Sequence, residues 1–462
     1  MVFERFCCSG CLNISTSGGF FMNHDMTTGP VWKKLLLFML PVFGANLLQA
    51  LYGTVDLIVV GQFASTADVS AVSTGSMTMQ TITGIITGLT MGCTIRIGHL
   101  IGQKNREEAA RTVGTALCLF LGLGVLLAVL IFAFARPIAA VMNAPTDAFS
   151  ATISYIRICG VGILAIVLFN ACSGIFRGIG DSKTPLLLML IACIANIIGD
   201  LILVGPFHMG AAGAALATVL AQAVSVAFAI PKILHNGLGF PFGRKDFCID
   251  KKESSFILRY GLPIAAQEAL TGVSFMVILA ILNGFGLVAS AGVGVAEKIC
   301  ALMFLIPGAA MAAVSTFSAQ NVGAGEYRRA RSAMYLGMIW TVTIGLAVFL
   351  FSFTHGALLA RLFSDDKDVI AASVAESCEN ITSEFVSSEN VLCGKSGVLI
   401  GCVLCIVCVR AYYRSENRNH CQKKDNDQSQ NCHRIFLKSS PCRFPEALAL
   451  YGDKFAVLFG WI

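Results

Sequence analysis

The stretch LCLFLGLGVLLAVLIFAFA, residues 117–135, passes nineteen positions without a charge. Roughly 20 consecutive apolar residues are what an α-helix needs to cross the hydrocarbon core of a bilayer. Working outward from this run, similar ones recur as far as about residue 355, at about 33–57, 73–98, 113–135, 151–174, 184–204, 209–230, 257–284, 290–318 and 333–354. Of 462 residues, 56% are hydrophobic and only 13% are charged, and the mean hydropathy is +0.74. A water-soluble domain carries about 25% charged residues, so the lipid bilayer is this chain's solvent. The 45 glycines suit helices that pack closely in lipid. The fold class is therefore an all-α polytopic membrane protein.

The net charge of +6 does not indicate nucleic acid, because of where the charges sit. Lys and Arg cluster in GQKNREEAARTV (102–113), FRGIGDSKTP (176–185), GRKDFCIDKKESS (243–255) and GEYRRARS (325–332). The alternate connections GQFASTADVS, GPFHMGAAG and GFGLVASAG carry none. A basic loop at every second turn is the positive-inside pattern. It places the N-terminus, with Lys33 and Lys34, in the cytoplasm of a cell with a multi-pass plasma-membrane protein. Residues 1–30 read as an N-terminal extension. They lack the basic stretch and apolar core of a signal peptide, and Met22 and Met26 just before the first span raise an over-extended start as a reading.

Of 18 cysteines, three fall in residues 1–30, seven between 31 and 376, and eight in the last 86 residues. The seven are scattered singly, which fits packing rather than disulfides. Cys402, Cys405 and Cys408 are spaced like half a metal site, but a companion pair is absent, so a greasy helix face is the better reading.

Laid on itself with a shift of about 221 residues, the chain matches at three separated places. LPVFGANLLQAL (40–51) meets LPIAAQEALTGV (262–273), IGQKNREEAAR (101–111) meets VGAGEYRRARS (322–332), and AAVMNAPTDAFSATIS (139–154) meets ARLFSDDKDVIAASVA (360–375). Two six-helix lobes are implied, an N-lobe at 31–230 and a C-lobe from 257, joined by a cytoplasmic loop at 231–256. An even number of helices per lobe gives both the same orientation, a parallel repeat about an axis along the membrane normal. The match stops at about residue 376. Residues 377–462 are polar and Cys-rich with one short apolar run, so the second lobe is expected to be incomplete, with about 9–10 helices in all instead of 12. A frameshift or rearrangement of the last three helices is one expectation; a divergent cytoplasmic tail is the alternative.

Enzyme readings find little support. There is no HExxH; CGKS (393–396) resembles the end of a P-loop, but Glu389 stands where its first Gly must be. GIGD (178–181) matches a short intramembrane-protease motif but lies in a basic loop rather than a span, and no Tyr-Asp pair lies in a helix to supply a second acid. What remains are acids inside spans. Asp56 lies in LYGTVDLIVVG (51–61), and Asn196 and Asp200 lie in ANIIGDLILVG (195–205). An ionised Asp at the bilayer centre costs at least about 2.5 kcal/mol even on the forgiving insertion scale. Asn196 and Asp200 are four residues apart and project from one helix face. An amide oxygen with a carboxylate suits a hard cation or a proton, and Thr218 and Tyr155 on the adjoining spans add hydroxyl oxygens. A protonated or paired acid bridging two helices is the purely structural alternative.

Over roughly residues 30–376 the sequence resembles the multidrug and toxic compound extrusion (MATE) family, within it the branch of DinF-like proteins. LPVFGANLLQALYGTVDLIVVGQF, TMGCTIRIGHLIGQKNREEAAR, FRGIGDSKTP, NIIGD followed by GAAGAALATVLAQ, and SAQNVGAGEYRRAR together carry the resemblance. It implies twelve helices in two lobes around a cavity that opens alternately to each side. It also implies efflux of small amphiphilic, cationic organic molecules driven by inward H⁺ or Na⁺, with no cofactor. In that branch the cation site uses residues that match Asp56, Tyr155, Asn196, Asp200 and Thr218 here, with Na⁺ or H⁺ held at Asp56 and Asp200. Two nearby carboxylates in low dielectric resist both being ionised. Glu268, in AAQEALTG, is a candidate for the substrate cavity. The alternatives are a lipid-linked saccharide flippase of related fold, expected to carry several cavity arginines where only Arg96 lies well inside an N-lobe span, and a non-functional remnant.

Overall fold

The computed structural model describes residues 25–360, apart from Asn143 and residues 235–237 and 284–286. The expectations for the tail and for the triad of cysteines at 402–408 fall outside these residues. The regular structure among the described residues is all helical: α1 (Val31–Phe63), α2 (Thr66–Gly102), α3 (Arg106–Val141), α4 (Phe149–Ile179), α5 (Lys183–Leu203), α6 (Gly210–Leu234), a short 3-10 turn (Arg244–Asp246), α7 (Lys251–Asn283), α8 (Leu287–Gly323) and α9 (Tyr327–Ala360). Helices α1 to α6 are each long and apolar enough to cross a membrane.

Several helices begin well before hydropathy alone would start them, because their polar first turns are capped. α2 starts at Thr66 rather than about 73. The Ser65 hydroxyl accepts the Asp68 N–H at 3.2 Å, while the Asp68 carboxylate accepts the Ser65 N–H at 3.3 Å, a reciprocal cap that satisfies two otherwise orphaned donors. The same Asp68 also accepts the Ala211 N–H at 3.0 Å, joining the starts of α2 and α6. α3 starts at Arg106 because Asn105 accepts the Glu108 N–H at 3.2 Å. The basic stretch 176–185 is correspondingly less of a loop than the sequence indicates. Phe176–Ile179 close α4, with Gly180 at φ 99° as its left-handed stop. Asp181 accepts the N–H groups of Lys183 and Thr184 at 3.0 Å each to start α5. Arg177 is thus a helix residue, not a loop residue.

The N-lobe core lies around α4, whose Ile156, Ile163, Ile175 and Phe176 are buried against α2, α3 and α6. α3 faces outward, with Leu121, Val125, Leu126, Val129 and Phe132 exposed. In a bilayer those side chains meet lipid, so no water-excluding cover is required. The described cysteines, Cys93, Cys118, Cys159, Cys172, Cys193 and Cys248, are all free.

The internal repeat is visible in the helix boundaries. α7, α8 and α9 begin 220, 221 and 221 residues after α1, α2 and α3. The lobes meet at the end of the bundle that carries the basic connections. α2 and α7 run antiparallel in backbone contact: a Cβ added at Gly92 would stand 2.1 Å from the Ile257 carbonyl oxygen. One turn on, Arg96 binds Glu253 through Nε–Oε2 and Nη2–Oε1, both 2.7 Å. Glu253 also accepts the Thr112 hydroxyl at 2.7 Å, and Arg96 reaches Glu108 at 3.1 Å. At the ends of α2 and α8, Gly102 abuts the Gln320 carbonyl and Gly323 abuts the His99 carbonyl, with added Cβ atoms falling at 1.9 and 2.0 Å. His99 and Gln320, like Gly102 and Gly323, are 221 positions apart. The pseudo-twofold axis therefore passes through this contact.

Candidate cation site in the first lobe

Asp56 sits two turns before the end of α1, Tyr155 in the second turn of α4, Asn196 and Asp200 in the second half of α5, and Thr218 in the third turn of α6. Four helices thereby bring their polar residues to one region. Asp56, Tyr155, Asn196 and Asp200 are 6%, 3%, 1% and 0% exposed, so none depends on bulk water for solvation. The Thr218 hydroxyl is the link between helices: it accepts from Asn196 Nδ2 and donates to Asp56 Oδ2, each at 3.4 Å. These distances are at the long end for hydrogen bonds, so the groups converge loosely. Asp200 stands one turn beyond Asn196, close enough to Asp56 for the two charges to interact.

Asp56 Oδ1, Asn196 Oδ1 and both carboxylate oxygens of Asp200 are buried without a hydrogen-bond partner. Buried polar atoms are ordinarily paired, and a buried charge is paired or neutralised. Two carboxylates, an amide oxygen and a hydroxyl can take up one positive charge as a proton on a carboxyl or as a hard cation held by oxygens.

Tyr155 fits because α2 gives way to it. Its ring lies on Gly75, where a Cβ would come within 2.3 Å of Tyr155 Cδ1. Its hydroxyl is within electrostatic reach of Asp56 and Asp200. All five residues matched from the sequence are brought together. Glu268 is not with them. It is half-buried on α7, its carboxylate 3.5 Å from where a Cβ on Gly84 would stand. Gly84 lies nine residues along α2 from Gly75, about 13 Å of helix.

Three participants escaped the sequence reading. Gly75 carries the ring of Tyr155. Tyr52 lies one turn before Asp56 on α1 and Gln222 one turn after Thr218 on α6, and their side chains face each other. Polar residues four apart on an apolar helix were the available signal, the same one that picked out Asn196 and Asp200. Arg96 stands apart from the site, fully engaged with Glu253 and Glu108.

Residues 41–202 and 263–377 of the sequence match the MatE family. The matched part contains Asp56, Tyr155, Asn196, Asp200 and Glu268, and Thr218 falls between its two segments. Among curated proteins, the chain is 28% identical over 349 residues to the probable multidrug resistance protein YoeA of Bacillus subtilis (strain 168), covering 74% of this chain and 75% of that one. It is 25% identical over 345 residues to the multidrug export protein MepA of Staphylococcus aureus (strain MSSA476), covering 74% and 75%. Among solved structures, it is similar to a MOP superfamily transporter from Pyrococcus furiosus, with TM-score 0.73, 22% identity and coverage of 85% and 88%. That likeness extends the fold over most of both chains.

Proposed function

Given that this chain belongs to the MatE family of multidrug efflux transporters, we propose that it is a secondary active cation/drug antiporter. It works by alternating access of its two lobes in the plasma membrane, with its N-terminus in the cytoplasm. The observation that carries this reading is the buried, partly unpartnered cluster of Asp56, Asn196 and Asp200, linked by the half-buried Thr218.

Asp56 and Asp200 accept one H⁺ or Na⁺ entering from outside. That added positive charge lowers the net charge of the pair, relieves part of its burial penalty and lets α1, α5 and α6 close on one another, which favours one arrangement of the lobes over the other. A cation that binds one arrangement better shifts the population toward it. Small amphiphilic organic cations leave by the arrangement that opens outward. Glu268, half-buried on α7 against α2, lies between the lobes and contributes a charge to the substrate cavity. No cofactor takes part.

The test is ethidium efflux from proteoliposomes under an imposed Na⁺ or H⁺ gradient. Asp200→Asn should abolish gradient-driven efflux while leaving the amount of protein in the membrane unchanged. Efflux from Asp200→Asn at the wild-type rate would end this reading. The flippase alternative needs cationic side chains free to meet a pyrophosphate, and Arg96 is bound on both sides by carboxylates. The absence of any gradient-driven efflux from the wild type would favour the remnant.

A further inference from the structure

One buried oxygen close to the cluster has no part in the proposed antiport. Gln222 is 5% exposed, and its Oε1 has no hydrogen-bond partner. It follows Thr218 by one turn on α6, so its side chain projects from the same face, with neighbouring Cβ atoms about 6 Å apart. Opposite stands α1, running the other way. Asp56 faces Thr218 across the first rung of this antiparallel pair. Tyr52, one turn earlier on α1, faces Gln222 across the second. The next rung toward the basic end, Leu48 and Val226, is apolar. The polar strip between α1 and α6 is thus two rungs deep and closed below.

The two ions that could occupy the cluster make different demands. A proton is satisfied by one carboxylate oxygen. Bound there, it turns that carboxyl into a donor to one further oxygen at most and leaves the other acceptors as they were. A hard cation of sodium's size, which is close to calcium's, gathers about six oxygens and takes amide carbonyls as readily as carboxylates. Asn196 Oδ1 and Gln222 Oε1 are both buried and both unpartnered, as are Asp56 Oδ1 and the two oxygens of Asp200. Only the metal ion gives all five a partner.

We propose that Gln222 is a further ligand of the site, and that its amide oxygen, added to that of Asn196, makes the site select sodium over a bare proton. This rests on the reading of Asp56 and Asp200 as the coupling pair. Tyr52 positions the Gln222 side chain from across the rung. The titratable group that meets Gln222 is Tyr52 of α1, and Tyr52 in turn lies within electrostatic reach of Asp56 on α1, Tyr155 and Cys159 on α4, and Cys193 on α5.

The experiment measures thermal unfolding of the purified full-length protein in detergent. NaCl is titrated against choline chloride at fixed pH, and pH is then varied in choline chloride alone. A ligand that binds only the folded state raises the transition temperature in proportion to its occupancy. The wild type should be stabilised by Na⁺. Gln222→Leu should raise the half-maximal Na⁺ concentration at least tenfold while leaving the pH response in choline chloride unchanged. Gln222→Glu, which keeps an oxygen and adds charge, should lower it, and this variant decides the matter if the leucine protein does not fold. An unchanged half-maximum in either variant overturns the proposal, as does an equal loss of the Na⁺ and pH responses in Gln222→Leu. A wild type that answers to pH but not to Na⁺ overturns it too, with the coupling pair left standing. If neither ion acts and Asp200→Asn behaves as wild type, the coupling reading falls as well.

Discussion

Arg96 of α2 holds Glu253 of α7 through two parallel bonds of 2.7 Å, and the two residues are only 6% and 1% exposed. The place related to it by the repeat is built differently. Phe317 stands 221 positions after Arg96, and Arg329 the same distance after Glu108. Arg329 donates to the carbonyls of Met26 and Gly29 at 3.2 and 2.9 Å, and to the Asn321 side chain at 3.0 Å. One lobe thereby grips the first turn of α7, and the other grips the segment that leads into α1. One grip is a buried ion pair; the other is a cation on neutral carbonyls.

The unlike chemistry gives a prediction about stability. Removing one member of a buried ion pair leaves the other charged and unpaired, at about 3–5 kcal/mol. Glu253→Gln should fall at the low end, about 3 kcal/mol, because Glu108 remains 3.1 Å from Arg96. The double change Arg96→Met with Glu253→Leu should recover most of the loss, since replacing both partners with apolar groups of similar volume is often neutral. Thermal unfolding of the detergent-solubilised protein measures both. If the double variant is as unstable as the single one, the loss comes from the missing Arg96–Glu253 bonds themselves and not from a charge left unpaired.

The clasp between Gly102 and Gly323 gives a second prediction. Gly102→Ala sets a Cβ 1.9 Å from the Gln320 carbonyl oxygen, and Gly323→Ala sets one 2.0 Å from that of His99. Neither carbonyl can move without its helix, so each change parts α2 and α8 at the basic end. The readout is a disulfide between Gly98→Cys and Ala319→Cys, where the corresponding Cβ atoms are 3.1 Å apart, near the span a disulfide bridges. Peptide mapping should show it forming readily alone, and several-fold less when either alanine is added. The two alanines should act alike, because the repeat relates them. A large difference between them would show that this contact is not on the pseudo-axis.

Much of this was legible in the sequence, for reasons that differ by residue. The bilayer demands long uncharged runs, so hydropathy locates α3 from 117–135 alone. An acid within such a run is costly enough to be noticed, which is how Asp56 and Asp200 stand out. The helix starts at Thr66 and Arg106 were missed because hydropathy does not register a cap, although Ser65 with Asp68 and Asn105 with Glu108 carry that signal at short range. Arg177 was assigned to a loop because its neighbours Gly178 and Gly180 look like turn residues; only Gly180 adopts a positive φ. Gly75 was illegible for a deeper reason. Its partner Tyr155 lies 80 residues away, and nothing local distinguishes a glycine that admits a ring from one that admits a neighbouring helix.

That same glycine carries the last prediction. Gly75→Ala would place a Cβ 2.3 Å from Tyr155 Cδ1 and 2.9 Å from both Cε1 and Cγ. The ring is buried at 3% exposure and packed on all sides, so it cannot swing clear without displacing the groups beside Asp56. Overpacking of this kind costs about 1–3 kcal/mol. Gly75→Ala should therefore lower the unfolding temperature, and it should lower gradient-driven efflux by more than that loss of folded protein accounts for. Tyr155→Leu, on its own, should remove the hydroxyl near the carboxylate pair and reduce efflux while relieving the crowding. Combining the two should return most of the stability lost in Gly75→Ala but none of the transport. Strictly additive losses in both stability and efflux would show that Gly75 and Tyr155 act independently, and that α2 does not position the tyrosine.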